Sequence, residues 1–197
     1  FDTIGNASTY ALQTALNGVL RATTAATANG DGSSLRLFTD GLVIKPGTWF
    51  KAAVMRPAAL GSLNWRIGFD DSVTATRPTK GVTFESANGV LTCANDSAAN
   101  GDLSQAVTGH PDLTSGTTEV VGSWVHLEAR CSGKANANGG PAEVDYFVNG
   151  RHVAKLPCLL SSTETVEAKL VHWQTSGGAS AVAVQFGYFE AFIPRAY

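Results

Sequence analysis

Residues 143–156 read Glu143-Val144-Asp145-Tyr146-Phe147-Val148-Asn149-Gly150-Arg151-His152-Val153-Ala154-Lys155-Leu156. Two runs rich in β-branched and aromatic residues flank Asn149-Gly150. Asn-Gly accepts positive φ at both central positions of a type I′ turn, whose twist matches that of paired strands. The stretch therefore predicts an antiparallel hairpin with Val144–Val148 on one arm and His152–Leu156 on the other. Its period of two puts successive side chains on opposite faces, as in a half-buried sheet.

The same period recurs on both sides. Val125, Leu127, Ala129 and Cys131 alternate with Trp124, His126, Glu128 and Arg130. Phe50, Ala52 and Val54 alternate with Lys51, Ala53 and Met55, and Val182, Val184 and Phe186 alternate with Ala183, Gln185 and Gly187. A second hairpin is read at Val82–Glu85 and Val90–Cys93, around Asn88-Gly89. Turn clusters such as Lys45-Pro46-Gly47, Asn100-Gly101 and Asn138-Gly139-Gly140-Pro141 separate the runs. Strands are expected near 18–24, 34–39, 41–45, 48–56, 64–70, 81–86, 90–94, 103–108, 123–131, 143–149, 151–156, 166–174 and 181–193. The only helix candidate is Ser8–Asn17, with Ser8 as a possible cap; an irregular arm fits that stretch equally. Many short strands with Gly-rich turns and almost no helix mean a sandwich or barrel. The expected organisation is an N-terminal arm over 1–15 and one sandwich domain over 16–197.

Composition narrows the classes. Charged residues make up 15% of the 197, and the net charge is −2. That balance lacks the clustered basic surface a phosphate-tracking protein needs, so no nucleic-acid partner is expected. Apolar runs fall far short of a membrane span, so no membrane insertion is expected. No charged segment with an apolar core opens the chain, so a signal peptide is not expected either. Cys93, Cys131 and Cys158 are odd in number and widely spaced. They form no zinc motif, and three reduced thiols are expected, although one disulfide plus a free thiol would also fit.

The order of these elements resembles the concanavalin A-like lectin/glucanase jelly roll. More narrowly, it resembles the version found in virion proteins of tailed bacteriophages. The similarity runs from Gly47 to Pro194, about three quarters of the chain. It is carried by Thr48-Trp49-Phe50-Lys51-Ala52, Trp65-Arg66-Ile67-Gly68-Phe69-Asp70-Asp71 and Gly81-Val82-Thr83-Phe84. It continues in Ser123-Trp124-Val125-His126-Leu127, in the hairpin Asp145–Ala154 and in the closing run Val184–Phe192. The resemblance implies an all-β fold of two antiparallel sheets packed face to face. It also implies sugar binding on a sheet face or at loop ends, or a role in decorating a capsid.

Candidate chemistry is sparse. Glycosidases of this jelly roll carry Glu-x-Asp-x-x-Glu on one strand, so that two carboxylates flank the scissile bond. Glu143-x-Asp145 begins that pattern, but Val148 stands where the last Glu belongs. The Gln-Ile-His strand of polysaccharide lyases has no match. His110, His126, His152 and His172 sit in no metal or catalytic spacing, and Ser123 and Ser161 lie in no nucleophile elbow. Asp70-Asp71 is a weak Ca²⁺ candidate that Asn64 and Asp96 could join only through the fold. Sugar rings stack on exposed aromatic faces, which nominates Trp124, Trp173 and Trp65 with His126.

From these readings the expectation is a non-enzymatic structural virion protein without cofactor, assembled in a host cytoplasm. It would bind the capsid or other virion proteins and associate with itself. Phe1, Ile4, Tyr10 and Leu12 of the arm are its expected contacts. The alternative is a lectin-like module that recognises surface glycans.

Overall fold

The computed structural model describes residues 2–4, 9–13, 19–24, 32–37, 41–56, 63–72, 77–174 and 183–195, the first two segments as backbone. Among the described residues fifteen strands run β1 (Asp2–Ile4), β2 (Thr9–Gln13), β3 (Val19–Thr23), β4 (Gly32–Arg36), β5 (Leu42–Val43), β6 (Trp49–Met55), β7 (Leu63–Asp70) and β8 (Gly81–Ala87). They continue as β9 (Val90–Ser97), β10 (Gly101–Ala106), β11 (Trp124–Cys131), β12 (Glu143–Val148), β13 (Arg151–Pro157), β14 (Thr165–Gln174) and β15 (Ala183–Phe192). No helix occurs among the described residues. All pairings are antiparallel. One sheet has the order β1-β4-β14-β7-β8-β9-β10, with β5 also on β14, and the other β13-β12-β11-β6-β15-β3-β2. We call them the front and back sheets. Together they form a two-layer jelly-roll sandwich.

The deciding hairpin forms as read. Val148 pairs with Arg151 across Asn149 (φ 48°) and Gly150 (φ 77°), the two positive φ values a type I′ turn demands. Asn88 (φ 53°) and Gly89 (φ 88°) close the β8–β9 hairpin in the same way. The second turn has an added constraint: a Cβ at Gly89 would stand 2.4 Å from the Arg56 guanidinium tucked beneath it.

The N-terminal expectation is corrected. Thr9–Gln13 is a strand on β3, not part of a helix over 8–17, and Asp2–Ile4 pairs with β4. The segment read as a free arm thus supplies one edge strand to each sheet. Main-chain ladder bonds reward even short segments at an open edge, whatever their side-chain period. Of the proposed contacts, Ile4 faces Gly32, Tyr10 faces Ala22 and Leu12 faces Leu20 in register, so their backbones are engaged within the chain. Phe1 lies outside the described residues.

The core lies between the sheets. The front sheet contributes Trp65, Ile67, Phe69, Phe84 and Leu170, and the back sheet Phe50, Val54, Leu127, Tyr146 and Phe186. Cys93, Cys131 and Cys158 are free and buried there; burial pushes all three thiols up, away from the reactive thiolate. Tyr146 crosses the layers: its hydroxyl donates to the Ala94 carbonyl at 2.7 Å. Tyr146→Phe leaves that carbonyl without its side-chain donor. A loss of about 1–2 kcal/mol is expected in urea unfolding.

Candidate functional site

Side chains on the core-distal face of the front sheet are unusually polar and unusually buried. Strand alternation sends Trp65, Ile67 and Phe69 inward and Asn64, Arg66, Gly68 and Asp70 outward. Register then places Glu85, Thr83 and Gly81 of β8 beside Arg66, Gly68 and Asp70. Thr92, Ala94 and Asp96 of β9 follow in the next column. On the other side β14 adds Val171, Lys169 and Glu167. The result is a polar trough closed to solvent: Gly68, Thr83 and Ala94 form its middle row, Arg66 and Glu85 one flank and Asp70, Gly81 and Asp96 the other, and Thr83, Ala94, Asp70 and Asp96 are each 0% exposed. Gly81 stands between Asp70 and Asp96 in register, and a Cβ there would come 2.8 Å from the Phe69 carbonyl oxygen, so the glycine lets β7 and β8 pack closely. A Cβ at Gly68 would meet the Val82 carbonyl oxygen at 2.4 Å, and its φ of +144° favours glycine, so the floor must stay low there.

Asp70 is 0% and Arg66 1% exposed, although both face away from the core, and Nε of Arg66 donates to Oδ2 of Asp70 at 2.7 Å. Arg77 Nε binds Asp96 Oδ1 at 2.7 Å. Lys169 and Arg36 both contact Glu167. After these pairings, polar capacity is left over. Thr83 Oγ1, Glu85 Oε1 and Asp96 Oδ2 are buried with no hydrogen-bond partner among the described residues. Burial pushes Asp96 up to about 6, against the pull of Arg77. It raises Glu85 too, against the pull of Arg66 and Arg77, and Asp70 against that of Arg66. Trp173 is half-buried on β14 beside this row, with the Arg66 guanidinium carbon 5.7 Å from its ring centroid.

A second recess lies on the outer face of the back sheet. This cleft of about 500 Å³ is lined by Lys51, Trp124, His126, Leu127, Glu128, Asn149, Gly150 and Tyr188. His126 Nδ1 is 3.3 Å from the Tyr188 hydroxyl, and Asn149 Oδ1 accepts from the His126 backbone N–H at 2.9 Å.

The structure separates the nominated residues. Trp124 and His126 come together on the back sheet, while Trp173 stands on the front sheet. Trp65 is corrected: it is 0% exposed in the core and its Nε1 donates to Glu119, so it offers no sugar platform. The Ca²⁺ candidate is corrected as well. Asp70 is taken by Arg66 and by the Ser72 N–H, and Asp71 by Thr79 and Lys80. Asn64 Oδ1 accepts from Asn88. No group of three potential His, Cys, Asp or Glu ligands gathers among the described residues. Glu143 and Asp145 are strand acids paired with Lys155 and His152.

Sequence reading missed Thr83, Glu85, Arg77, Lys51 and Tyr188, and named Asp96 only as a remote calcium ligand. The only available signal was the outward parity of Arg66 and Asp70 within an otherwise apolar strand. The partners come from separate strands.

No family model matches the chain, and no curated protein matches it. Solved structures do. An endo-β-1,4-glucuronan lyase from Trichoderma reesei has a TM-score of 0.65 at 10% identity, covering 98% of this chain and 90% of that one. A Bacillus licheniformis β-glucanase gives 0.63 at 8%, covering 94% and 82%. The carbohydrate-binding module CBM66 from Bacillus subtilis gives 0.55 at 11%, covering 96% and 93%. A sialidase matches at 0.59 and 10% identity, with 96% of this chain covered, but the chain spans only 16% of its length. At these identities the likeness is one of fold. The expectation of a non-enzymatic chain is overturned by the lyase and the glucanase on this fold. It rested on missing local motifs (Glu-x-Asp-x-x-Glu, Gln-Ile-His, a nucleophile elbow and histidine spacings), and a sheet face can assemble its groups from several strands.

Proposed function

We propose that this protein is a carbohydrate-binding jelly roll whose closed front-sheet trough opens to hold a glycan. One observation carries the reading: Thr83, Glu85 and Asp96 leave three buried polar atoms without partners among the described residues, all on one sheet face. Leaving such atoms unpaired costs free energy, about 1–3 kcal/mol each, which a ligand rich in hydroxyl donors recovers. Two of the three are carboxylate oxygens. They accept from sugar hydroxyls, and because Arg66, Arg77, Lys169 and Arg36 balance Asp70, Glu85, Asp96 and Glu167, the trough carries no net charge to draw a ligand carboxylate and favours neutral sugars. Trp173, beside the row, supplies an aromatic surface for a sugar ring. The lyase, glucanase and binding-module neighbours support the carbohydrate reading at the level of fold. The virion-decoration expectation rests on sequence resemblance alone.

Binding to arrayed neutral and uronic polysaccharides tests the proposal. Neutral glycans are expected to bind, and Trp173→Ala and Asp96→Asn each to weaken binding tenfold or more, about 1.4 kcal/mol. Retention of full affinity in both variants would sink the assignment. Reducing-end release with the same polymers reports whether the trough also turns its ligand over.

A further inference from the structure

We infer that the back-sheet cleft is a second site for a neutral oligosaccharide, so that one chain bridges two glycans. The inference rests on the carbohydrate reading above but uses the opposite face. Trp124, His126, Glu128 and Arg130 alternate outward along β11, beside Met55, Ala53, Lys51 and Trp49 of β6. A β-bulge between Phe186 and Tyr188 shifts β15, so that Tyr188, Glu190 and Phe192 complete the same outer rows. Gly187 occupies the bulge. A Cβ there would stand 3.2 Å from Cζ3 of Trp124, so the missing side chain lets the indole edge settle close to the backbone.

The cleft mixes aromatic surface with balanced polarity. Tyr188 is 44% exposed and Trp124 is half-buried. Arg130 and Lys51 lie 2.7 and 3.7 Å from Glu128, and Glu190 pairs with Lys51 in register, so two cations balance two acids and the lining has no net charge to draw an anion. His126 and the Tyr188 hydroxyl can exchange hydrogen bonds with neutral hydroxyls, while Asn149 is held by the His126 N–H and by Asp112. A recess of about 500 Å³ is in the range of ligand sites. The aromatic surface also extends beyond one ring. Trp49 and Phe192 stack at 6.1 Å, in the row six residues along β6 from the Trp124 row, roughly 20 Å away at the strand rise. That spacing suits an extended chain.

The two recesses lie on opposite outer faces of a sandwich whose sheets pack about 10 Å apart. A single extended glycan cannot enter both without rounding an edge. Two sites on one chain therefore join two glycans, and avidity for a polymer exceeds that of either site.

Titration of the full chain with cellohexaose, laminarihexaose and mannohexaose reads the stoichiometry. For the hexaose that binds, two equivalents per chain are expected. Trp124→Ala and, separately, Tyr188→Ala should reduce this to one, and turbidity with the matching polymer should fall about tenfold. Circular dichroism confirms that each variant is folded. One equivalent that Trp173→Ala abolishes, but Trp124→Ala and Tyr188→Ala leave intact, overturns the second site and retains the front-sheet reading. One equivalent lost only in the back-sheet variants overturns the front-sheet reading and the bridging. No binding of any probe overturns both.

Discussion

Phe50→Ala is expected to lower unfolding free energy by about 4 kcal/mol, within the range for emptying a buried aromatic site. Phe50 is 0% exposed and belongs to the back sheet. Its ring meets Phe69 and Phe84 of the front sheet edge-on, at 5.4 and 6.2 Å, and stacks on Phe189 of its own sheet at 5.6 Å. Removing it deletes apolar burial and the contacts that hold the two layers in register. The surrounding rings are anchored on two sheets and cannot collapse into the void. A domain of this size should lose roughly 10 °C in Tm. Because Phe69 and Phe84 belong to the sheet that carries the trough, glycan affinity should fall as well. A urea midpoint corresponding to under 1 kcal/mol of loss would show that the layers are held elsewhere.

Glu119→Gln is expected to change how stability depends on pH, by roughly 3 kcal/mol between its extremes. Glu119 is 1% exposed. Its Oε2 accepts from Ser86 at 2.7 Å and from Trp65 Nε1 at 3.3 Å, while Oε1 is buried without a partner. Burial pushes its carboxyl up to about 7, against those hydrogen bonds and the nearby Arg56. A raised acid has a definite sign. Between about 4.5 and 7 the unfolded chain has released the proton and the folded chain has not, so stability falls as pH rises. His172 acts in reverse. Burial lowers it to about 4, so between 4 and 6.5 the unfolded chain binds the extra proton and stability climbs with pH. In the native protein the two slopes oppose each other. Glutamine at 119 removes only the falling one. The Tm difference between variant and native protein should therefore grow from pH 4.5 to 7 and level off above. Asp96, raised in the same direction as Glu119, is common to both proteins and cancels in the difference. A difference that stays flat with pH would place the Glu119 carboxyl at its ordinary value.

Much of the candidate chemistry was illegible for one reason. Trp124 and Trp173 both carry outward parity in the sequence, and nothing local says that their strands belong to different sheets. Glu85 and Asp96 sit in ordinary strand positions. Their meaning depends on Gly81 standing between Asp70 and Asp96, and on Arg66 and Arg77 taking some oxygens and not others. Trp65 looked like any other tryptophan until its position against Glu119 put it in the core.

Resemblance alone pointed to the jelly roll; the sequence by itself determined the strands from about residue 18 onward, both Asn-Gly turns and the all-β sandwich-or-barrel class. Those follow from the two-residue period and from φ preferences, which act over a few bonds. Tertiary structure alone decided that residues 2–4 and 9–13 pair as edge strands, because ladder bonds form wherever an open edge accepts them. It also decided which outward faces became recesses and which polar atoms were left over. Those outcomes depend on cross-strand register between residues dozens of positions apart, and on burial that removes water from atoms the chain then fails to pair.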